Sequence, residues 1–486
     1  MDSSAQPHSS SLQSAPGSAQ GARAILAVLM VGTFLAPLDS SIVNIALPGI
    51  ATELGVPLTS VSWVASAYLL TTAALLLSMG RLGDVWGLRN LYVWGLLIFG
   101  AGSAACAMAH SLPLLLGARV FQAGGASMLF AAGPAIVVRT FPPRSRGGAL
   151  GIISLAVAAG LTVGPALGGV LVGLFGWPSI FLINIPLSVV AAGIAWRVLP
   201  QESPAGESFD MLGAVLAGGA LLSLLGGLTE ADTFGIGSIE IIGALAASVV
   251  LGLTFLWWEQ RAPHPMVDLR LFRSQGFSAG LGAATLAYLS LMAVIFTMPF
   301  FLLRGLGLPA QVAGMLLTAT PLAMAVLAPA AGRMSDRVGS RGLSTAGLLV
   351  LAGGLAVLSF ISLESPLWFI AVCLFAVGAG MAVFQTPNTS AVLTATPRSS
   401  AGVGSAFIAE ARNLGMAIGI ALTAAVVTSQ MGSAVSALDG QGALAAQPAA
   451  ELVAGMSLAM RIAVVLTLVA AALSWFFRDE PQQTVE

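Results

Sequence analysis

The sequence predicts an all-α membrane protein in which two six-helix bundles flank two inserted helices, giving fourteen transmembrane helices in all. Three observations carry that expectation. Of 486 residues 57% are hydrophobic and only 8% charged, against roughly 25% charged in an ordinary soluble domain, so lipid is the solvent. The apolar residues fall in Leu/Ala/Gly-rich runs of about 20, the length a helix needs to span a bilayer, not in the ten-residue alternating segments of a membrane barrel. Within this chain a charged turn, "GRLGDVWGLRN" at Gly80–Asn90, recurs in fainter form as "GRMSDRVGSRG" at Gly332–Gly342, 252 positions on.

Taken in order, residues 1–23 are rich in Ser, Gln, Pro and Gly, a composition that cannot bury enough apolar surface to fold. They are expected as a disordered cytoplasmic tail. No cleavable signal precedes the first apolar run, whose length suits a span. A 19-residue hydropathy window places spans near 24–47, 60–80, 90–109, 112–137, 147–173 and 179–199, the N-terminal bundle of residues 24–200. Spans near 211–229 and 238–258 form a two-helix insert, with linkers covering 201–274. Those near 275–302, 311–332, 343–362, 366–390, 401–429 and 456–477 form the C-terminal bundle of residues 275–477, followed by a cytoplasmic tail, 478–486. A polar outer loop is expected at about 430–455. The first span begins near Ala24 and the ninth near Gln275, almost the same shift as separates the two charged turns. Each turn follows the second helix of its own six. Parallel halves of this kind are a transporter architecture with the substrate site between them.

The arginines set the orientation, because cytoplasmic connections are enriched in positive charge. Arg23, Arg81, Arg89, Arg139, Arg144, Arg146, Arg197, Arg261, Arg270, Arg273, Arg333, Arg337, Arg341, Arg398 and Arg478 fall to one side, and only Arg304 and Arg461 to the other. Both termini are therefore expected in the cytoplasm. Every basic side chain is arginine; with no lysine there is neither a P-loop for ATP nor a retinal Schiff base. Cys106 and Cys373 lie inside apolar spans, as small core residues do. His8, His110 and His264 are scattered, so no metal site is expected. Near-zero net charge gives no sign of a nucleic-acid partner.

Four charges fall deep inside spans, away from their ends: Asp39, Arg119, Glu410 and Arg412. Each costs about 2.5–3.5 kcal/mol at a helix centre, so a functional role is the default reading. With a rise of 1.5 Å per residue, Asp39 lies roughly 22 Å up from one end of its helix and Arg119 roughly 10 Å down from the opposite end of its own. In a core about 30 Å thick they reach a similar level and can pair. Such an acid can carry a coupling proton, since burial favours its neutral form and a nearby arginine its charged form. A static salt bridge is the alternative. Gln122, one turn from Arg119, is expected as an organising group. Glu410 and Arg412, two apart, point about 200° away from each other. Arg412 precedes Gly415 and Gly419, a small-xxx-small face suited to helix packing. In the charged turn, Asp84 can accept hydrogen bonds from a helix N-terminus or from an arginine of the next connection. Gly80, Gly83 and Gly87 permit a tight turn and close approach. Asp336 and Arg337 form a weaker counterpart. Gly160, Gly164 and Gly168 share a stripe beside Pro165 and Gly169, as a hinge or a seal between halves would require. Trp63, Tyr68, Gln122, Phe296, Phe300, Phe384, Gln385, Asn388 and Asn413 are candidate cavity residues, because apolar pockets with few polar groups suit drug-like ligands.

"GRLGDVWGLRN" resembles the cytoplasmic loop signature of the major facilitator superfamily through Gly80, Leu82, Asp84, Gly87 and Arg89, departing from it at Val85, Leu88 and Asn90. "APLDSSIVNIALP", Ala36–Pro48, resembles the first-span signature of the drug:proton antiporter branch with fourteen spans. "RVFQAGGA" from Arg119 resembles the fourth-span arginine motif, and "GLTVGPALGGVL" from Gly160 the antiporter motif of the fifth span. The resemblance implies a monomeric, proton-coupled multidrug efflux antiporter of the bacterial inner membrane that exports hydrophobic, often cationic, drugs, dyes or antibiotics. It implies proton coupling through Asp39, Arg119 and Glu410, and a cytoplasmic latch of Gly80, Arg81, Asp84, Gly87, Arg89 and Asp336. No cofactor is needed beyond the proton gradient, and the protein is not an enzyme. A lipid or siderophore exporter of the same branch, or a transporter-like sensor that moves nothing, remains an alternative.

Overall fold

The computed structural model describes residues 19–201, 208–235, 237–432 and 444–476. Fourteen of its helices are long and apolar enough to cross a membrane. The first bundle comprises α1 (Gly21–Leu54), α2 (Trp63–Trp86), α3 (Leu88–Ala107), α4 (Leu112–Thr140), α5 (Pro143–Phe175) and α6 (Ser179–Val198). The insert is α7 (Met211–Glu230) and α8 (Ile239–Glu259). The second bundle comprises α9 (Gln275–Gly305), α10 (Gln311–Val338), α11 (Ser340–Leu358), α12 (Leu367–Thr394), α13 (Arg398–Met431) and α14 (Ala446–Trp475). The count and order agree with the expectation from hydropathy.

Several ends differ, because a helix continues past the apolar run until something breaks it. Residues 19–23 are helical and not tail. The last span begins at Ala446, so the C-terminal part of the expected outer loop at 430–455 is helix, and Arg461 lies well inside α14. Residues 1–18, 202–207, 433–443 and 477–486, on which parts of the expected tails, linker and loop fall, lie outside the described residues.

The repeated turn has a simple backbone cause. Gly87 (φ 95°) joins α2 to α3 and Gly339 (φ 88°) joins α10 to α11, each seven residues after the first glycine of its motif. A one-residue corner between two helices needs this left-handed φ, which only glycine adopts without steric cost.

Hydrophobic burial does not drive one helix onto another in lipid, so close packing of small residues does. Between the halves α5 packs along α10, and α2 and α4 along α13. A Cβ on Gly80 would lie 2.7 Å from the Gly402 carbonyl oxygen, and one on Gly147 2.5 Å from that of Gly332. The insert attaches at one seam. Helix α7 lies on α2, where a Cβ on Gly218 would lie 2.9 Å from the Ala74 carbonyl oxygen. Its Leu225 packs with Leu70 and Ala73 of α2 and with Leu414 and Ala417 of α13. Thus α7 covers the α2–α13 junction from outside, and the sparsely buried α8 packs behind it.

Candidate functional site

Two latches join the halves at the arginine-rich face. Asp84, near the end of α2, accepts from the backbone N–H groups of Gly402 (2.9 Å) and Val403 (3.0 Å) at the start of α13. Arg139 of α4 donates Nη2 to the same carboxylate at 2.5 Å and also bonds the carbonyls of Arg398 and Ser399. The carboxylate thus meets both partners expected from sequence, the helix N-terminus with its positive dipole end and an arginine of a neighbouring connection. Asp336 of α10 mirrors it, accepting from the N–H groups of Gly147 (2.7 Å) and Gly148 (2.8 Å) in the first turn of α5. No arginine is bonded to Asp336 among the described residues, so it is the weaker copy.

Arg81 acts electrostatically on Asp84 and on Glu259 at the end of α8, tying the latch to the insert. Glu259 in turn accepts from the N–H groups of Met266 and Val267. Arg89, expected at the latch, does not cross between halves. It donates to the Trp196 carbonyl and to Gln201 at the end of α6, with its guanidinium 4.5 Å from the Trp196 ring centroid. One position into α3 it already faces away from the seam.

Deeper in the first bundle, Asp39, Arg119 and Gln122 are all 0% exposed. Arg119 Nη1 donates to Asp39 Oδ2 at 2.5 Å and to Gln122 Oε1 at 2.6 Å. Asp39 Oδ1 accepts from Gln122 Nε2 (2.8 Å) and from Asn184 Nδ2 (2.9 Å). Ser103 Oγ accepts from both amides, at 2.8 and 3.4 Å. Arg119 Nε binds the Val64 carbonyl at 3.0 Å, and the guanidinium lies 4.2 Å from the centroid of the Tyr68 ring. The similar depth inferred from helix rise is therefore a contact. Asn184 and Ser103 were missed by sequence reasoning. Their signal was faint: one amide in the apolar run "FLINIPL" and one hydroxyl in α3.

The cavity between the halves is lined from the first bundle by Thr33, Phe130, Pro134 and residues of α5, and from the second by Tyr288, Phe384, Gln385, Asn388, Thr389, Ser405 and Arg412, among others. Its volume is about 70 Å³, against roughly 300–1,000 Å³ for ligand pockets, so a drug-sized cargo needs the halves to part. Of the expected cavity residues, Phe384, Gln385 and Asn388 line it. The other six do not. Tyr68 and Gln122 belong to the Asp39 network. Trp63 is partly exposed at the start of α2. Phe296 and Phe300 contact each other at 5.4 Å between ring centroids, and Phe300 packs against the Val427–Leu452 cluster. Asn413 lies one position beyond the cavity stripe of α13, beside Glu410.

That stripe is Ser405, Ile408, Ala409 and Arg412, spaced as one helical face. Glu410 lies off it, on the side shared by Leu414 and Ala417, toward α2 and α7. It is 3% exposed and neither carboxylate oxygen meets hydrogen-bond geometry; Asn413 and Arg412 are the polar groups acting on it. Neither Asp39 nor Glu410 lines the cavity, so among the described residues the expected cationic cargo finds no acidic counter-ion there.

Gly160, Gly164 and Gly168 pack on α1, not on the other half. A Cβ on Gly160 would lie 2.6 Å from the Phe34 carbonyl oxygen and one on Gly168 2.7 Å from the Ile42 side chain, while Ser41 Oγ donates to the Gly160 carbonyl. Pro165 sits within α5 between them, and Gly169 has open space beside it. The motif therefore fixes α5 to the helix that carries Asp39. The contact between halves is made two turns and more earlier, by Gly147 and Gly151 against α10.

The sequence matches the Major Facilitator Superfamily over residues 29–420 and 280–486. It is 35% identical to the riboflavin transporter RibZ of Clostridioides difficile, over 82% of this chain and 86% of that protein. It is 30% identical to the tetracenomycin C resistance and export protein of Streptomyces glaucescens, over 94% of this chain and 92% of that one. The fold is shared with the human organic anion transporter MFSD10, with a TM-score of 0.65 at 17% identity over 93% of this chain and 99% of that one; at that identity the likeness concerns fold alone.

Proposed function

The chain belongs to the major facilitator superfamily, a transporter and not an enzyme, and we propose that it is a proton-coupled antiporter that exports hydrophobic drugs, dyes or antibiotics by alternating access. Its arginine-rich face and both termini lie in the cytoplasm of a bacterial cell, and the protein sits in the inner membrane. Likeness to an antibiotic export protein supports the direction and the class of cargo. Likeness to a riboflavin transporter widens the class to planar heteroaromatics.

The observation that carries the reading is the environment of Asp39. Both of its oxygens are occupied by donors from Arg119, Gln122 and Asn184. Protonation neutralises the carboxylate and so removes the charge that holds the Arg119 guanidinium, weakening that ion pair. Release of Arg119 loosens α4 from α1, and through Gly160–Gly168 the change reaches α5, which forms one wall of the seam with α10. Protonation and rocking are then one event. The gradient supplies about 2.3 kcal/mol per charge per 100 mV and roughly 1.4 kcal/mol per pH unit, enough to bias such a two-state device. With both latches made, the halves are closed against each other at the arginine-rich face.

Asp39→Asn tests this in everted membrane vesicles. Dye export driven by the proton gradient should vanish while expression stays intact; full protonophore-sensitive export by that variant would remove Asp39 from the mechanism.

A further inference from the structure

We infer that the central cavity selects an aromatic cargo bearing a negative charge or a readily ionised acid, and that Arg412 is the residue that selects it. The inference deepens the transport reading above and rests on it, since it names what the cavity between the halves accepts. Among the described residues Arg412 is the sole charged side chain on that cavity. It makes no hydrogen bond or ion pair with them; its guanidinium lies 5.3 Å from the centroid of the Phe130 ring across the cavity. A cation at this depth ordinarily pairs with an acid or a backbone carbonyl. Here the adjacent acid, Glu410, lies on another face of the helix, and Asp39 is already paired with Arg119.

A second observation points the same way. Asn388 also lines the cavity and is 2% exposed. Its Nδ2 donates to the Gly280 carbonyl at 3.2 Å, while its Oδ1 has no partner. Buried acceptors are normally satisfied, so this one awaits a donor that the protein does not provide. Phe130, Tyr288 and Phe384 form the rest of the wall. Together these groups describe a planar aromatic ligand with an acidic or anionic group for Arg412 and one N–H or O–H for Asn388. An arginine prefers such a planar, bidentate acceptor. A lipophilic cation would meet a like charge, with no carboxylate on the cavity wall among the described residues to pair with.

The test uses two probes on one scaffold and one of opposite charge: 8-anilinonaphthalene-1-sulfonate, its neutral parent N-phenyl-1-naphthylamine, and ethidium. Equilibrium binding is measured on the full chain in nanodiscs without a gradient, and flux in everted vesicles with one. The anion should bind more tightly than ethidium. Arg412→Gln should weaken the anion by about tenfold or more, the worth of one charge-assisted hydrogen bond, and leave the neutral parent within about twofold. Arg412→Lys should recover part of the loss. If Arg412→Gln does not fold, the ranking of the three probes on the unaltered chain decides alone. Tighter binding of ethidium than of the anion, or an unchanged anion-to-neutral ratio in Arg412→Gln, would overturn the assignment. Anion preference in binding without gradient-driven flux would sink the antiporter reading and leave the selectivity standing. Protonophore-sensitive flux of ethidium with none of the anion would do the reverse.

Discussion

Replacing Asp84 with asparagine keeps the shape of the latch and removes its charge. In the wild type the carboxylate accepts three hydrogen bonds, two from backbone N–H groups of α13 and one from Arg139. The two backbone bonds cross the seam and break when the arginine-rich face opens, whereas Arg139, on α4 of the same half as Asp84, moves with it. A bond to a charged group contributes about 1.5–3 kcal/mol and a neutral one about 0.5–1.5, so Asp84→Asn loses about 1 kcal/mol per bond across the seam, or about 2 kcal/mol in all. At 1.4 kcal/mol per decade the opening equilibrium shifts roughly thirtyfold. Amide hydrogen exchange reads that equilibrium directly, and the two N–H groups concerned are those of Gly402 and Val403. Their exchange should accelerate about thirtyfold. Because the halves rock as units, the amides of Gly147 and Gly148 at the second latch should accelerate by a similar factor. Unchanged exchange at Gly402 and Val403 would refute the latch energetics. Acceleration there with none at Gly147 and Gly148 would refute concerted rocking in favour of local fraying.

Further outcomes follow from the same geometry. Asp336→Asn likewise weakens two bonds across the seam, so exchange at Gly147 and Gly148 should rise about thirtyfold, by about 2 kcal/mol. Gly147→Ala places a Cβ 2.5 Å from the Gly332 carbonyl oxygen and 2.6 Å from Asp336 Oδ1. It should hold the cytoplasmic face open and abolish export while leaving expression intact, as seen by cysteine accessibility at that face. Asn184→Leu removes one of the two donors to Asp39 Oδ1 and should lower the thermal unfolding midpoint, with a loss of about 1.5–3 kcal/mol for a hydrogen bond to a charged group. Glu410→Gln should reduce proton-driven flux while leaving equilibrium binding of both naphthylamine probes unchanged, because Glu410 does not line the cavity. A change in binding would return Glu410 to cargo recognition.

Charge and length were legible in the sequence because each acts locally. An apolar run must be about 20 residues long whatever it packs against, arginines mark one side whatever the bundle, and a one-residue corner needs Gly87 and Gly339 wherever it falls. The pairing of Asp39 with Arg119 was legible for a related reason: helix rise is constant, so depth in the bilayer can be counted. Rotation about each helix axis was not. In water a hydrophobic stripe marks the buried face, but here lipid and protein interior are equally apolar, and the stripe carries no message. Arg412 therefore read as part of a packing motif, though it faces the cavity, and nothing in the sequence turned Glu410 toward α2 and α7. Trp63, Tyr68, Phe296 and Phe300 failed for the same reason. The glycine stripe of α5 was visible as a stripe, but its partner, α1, was decided only by how the helices assemble. The chain by itself determined at what depth each residue lies along its helix and which end of the bundle it shares. Only the tertiary structure decided toward which neighbour each one points, because in a lipid solvent small-residue packing, and not hydrophobicity, sets that angle.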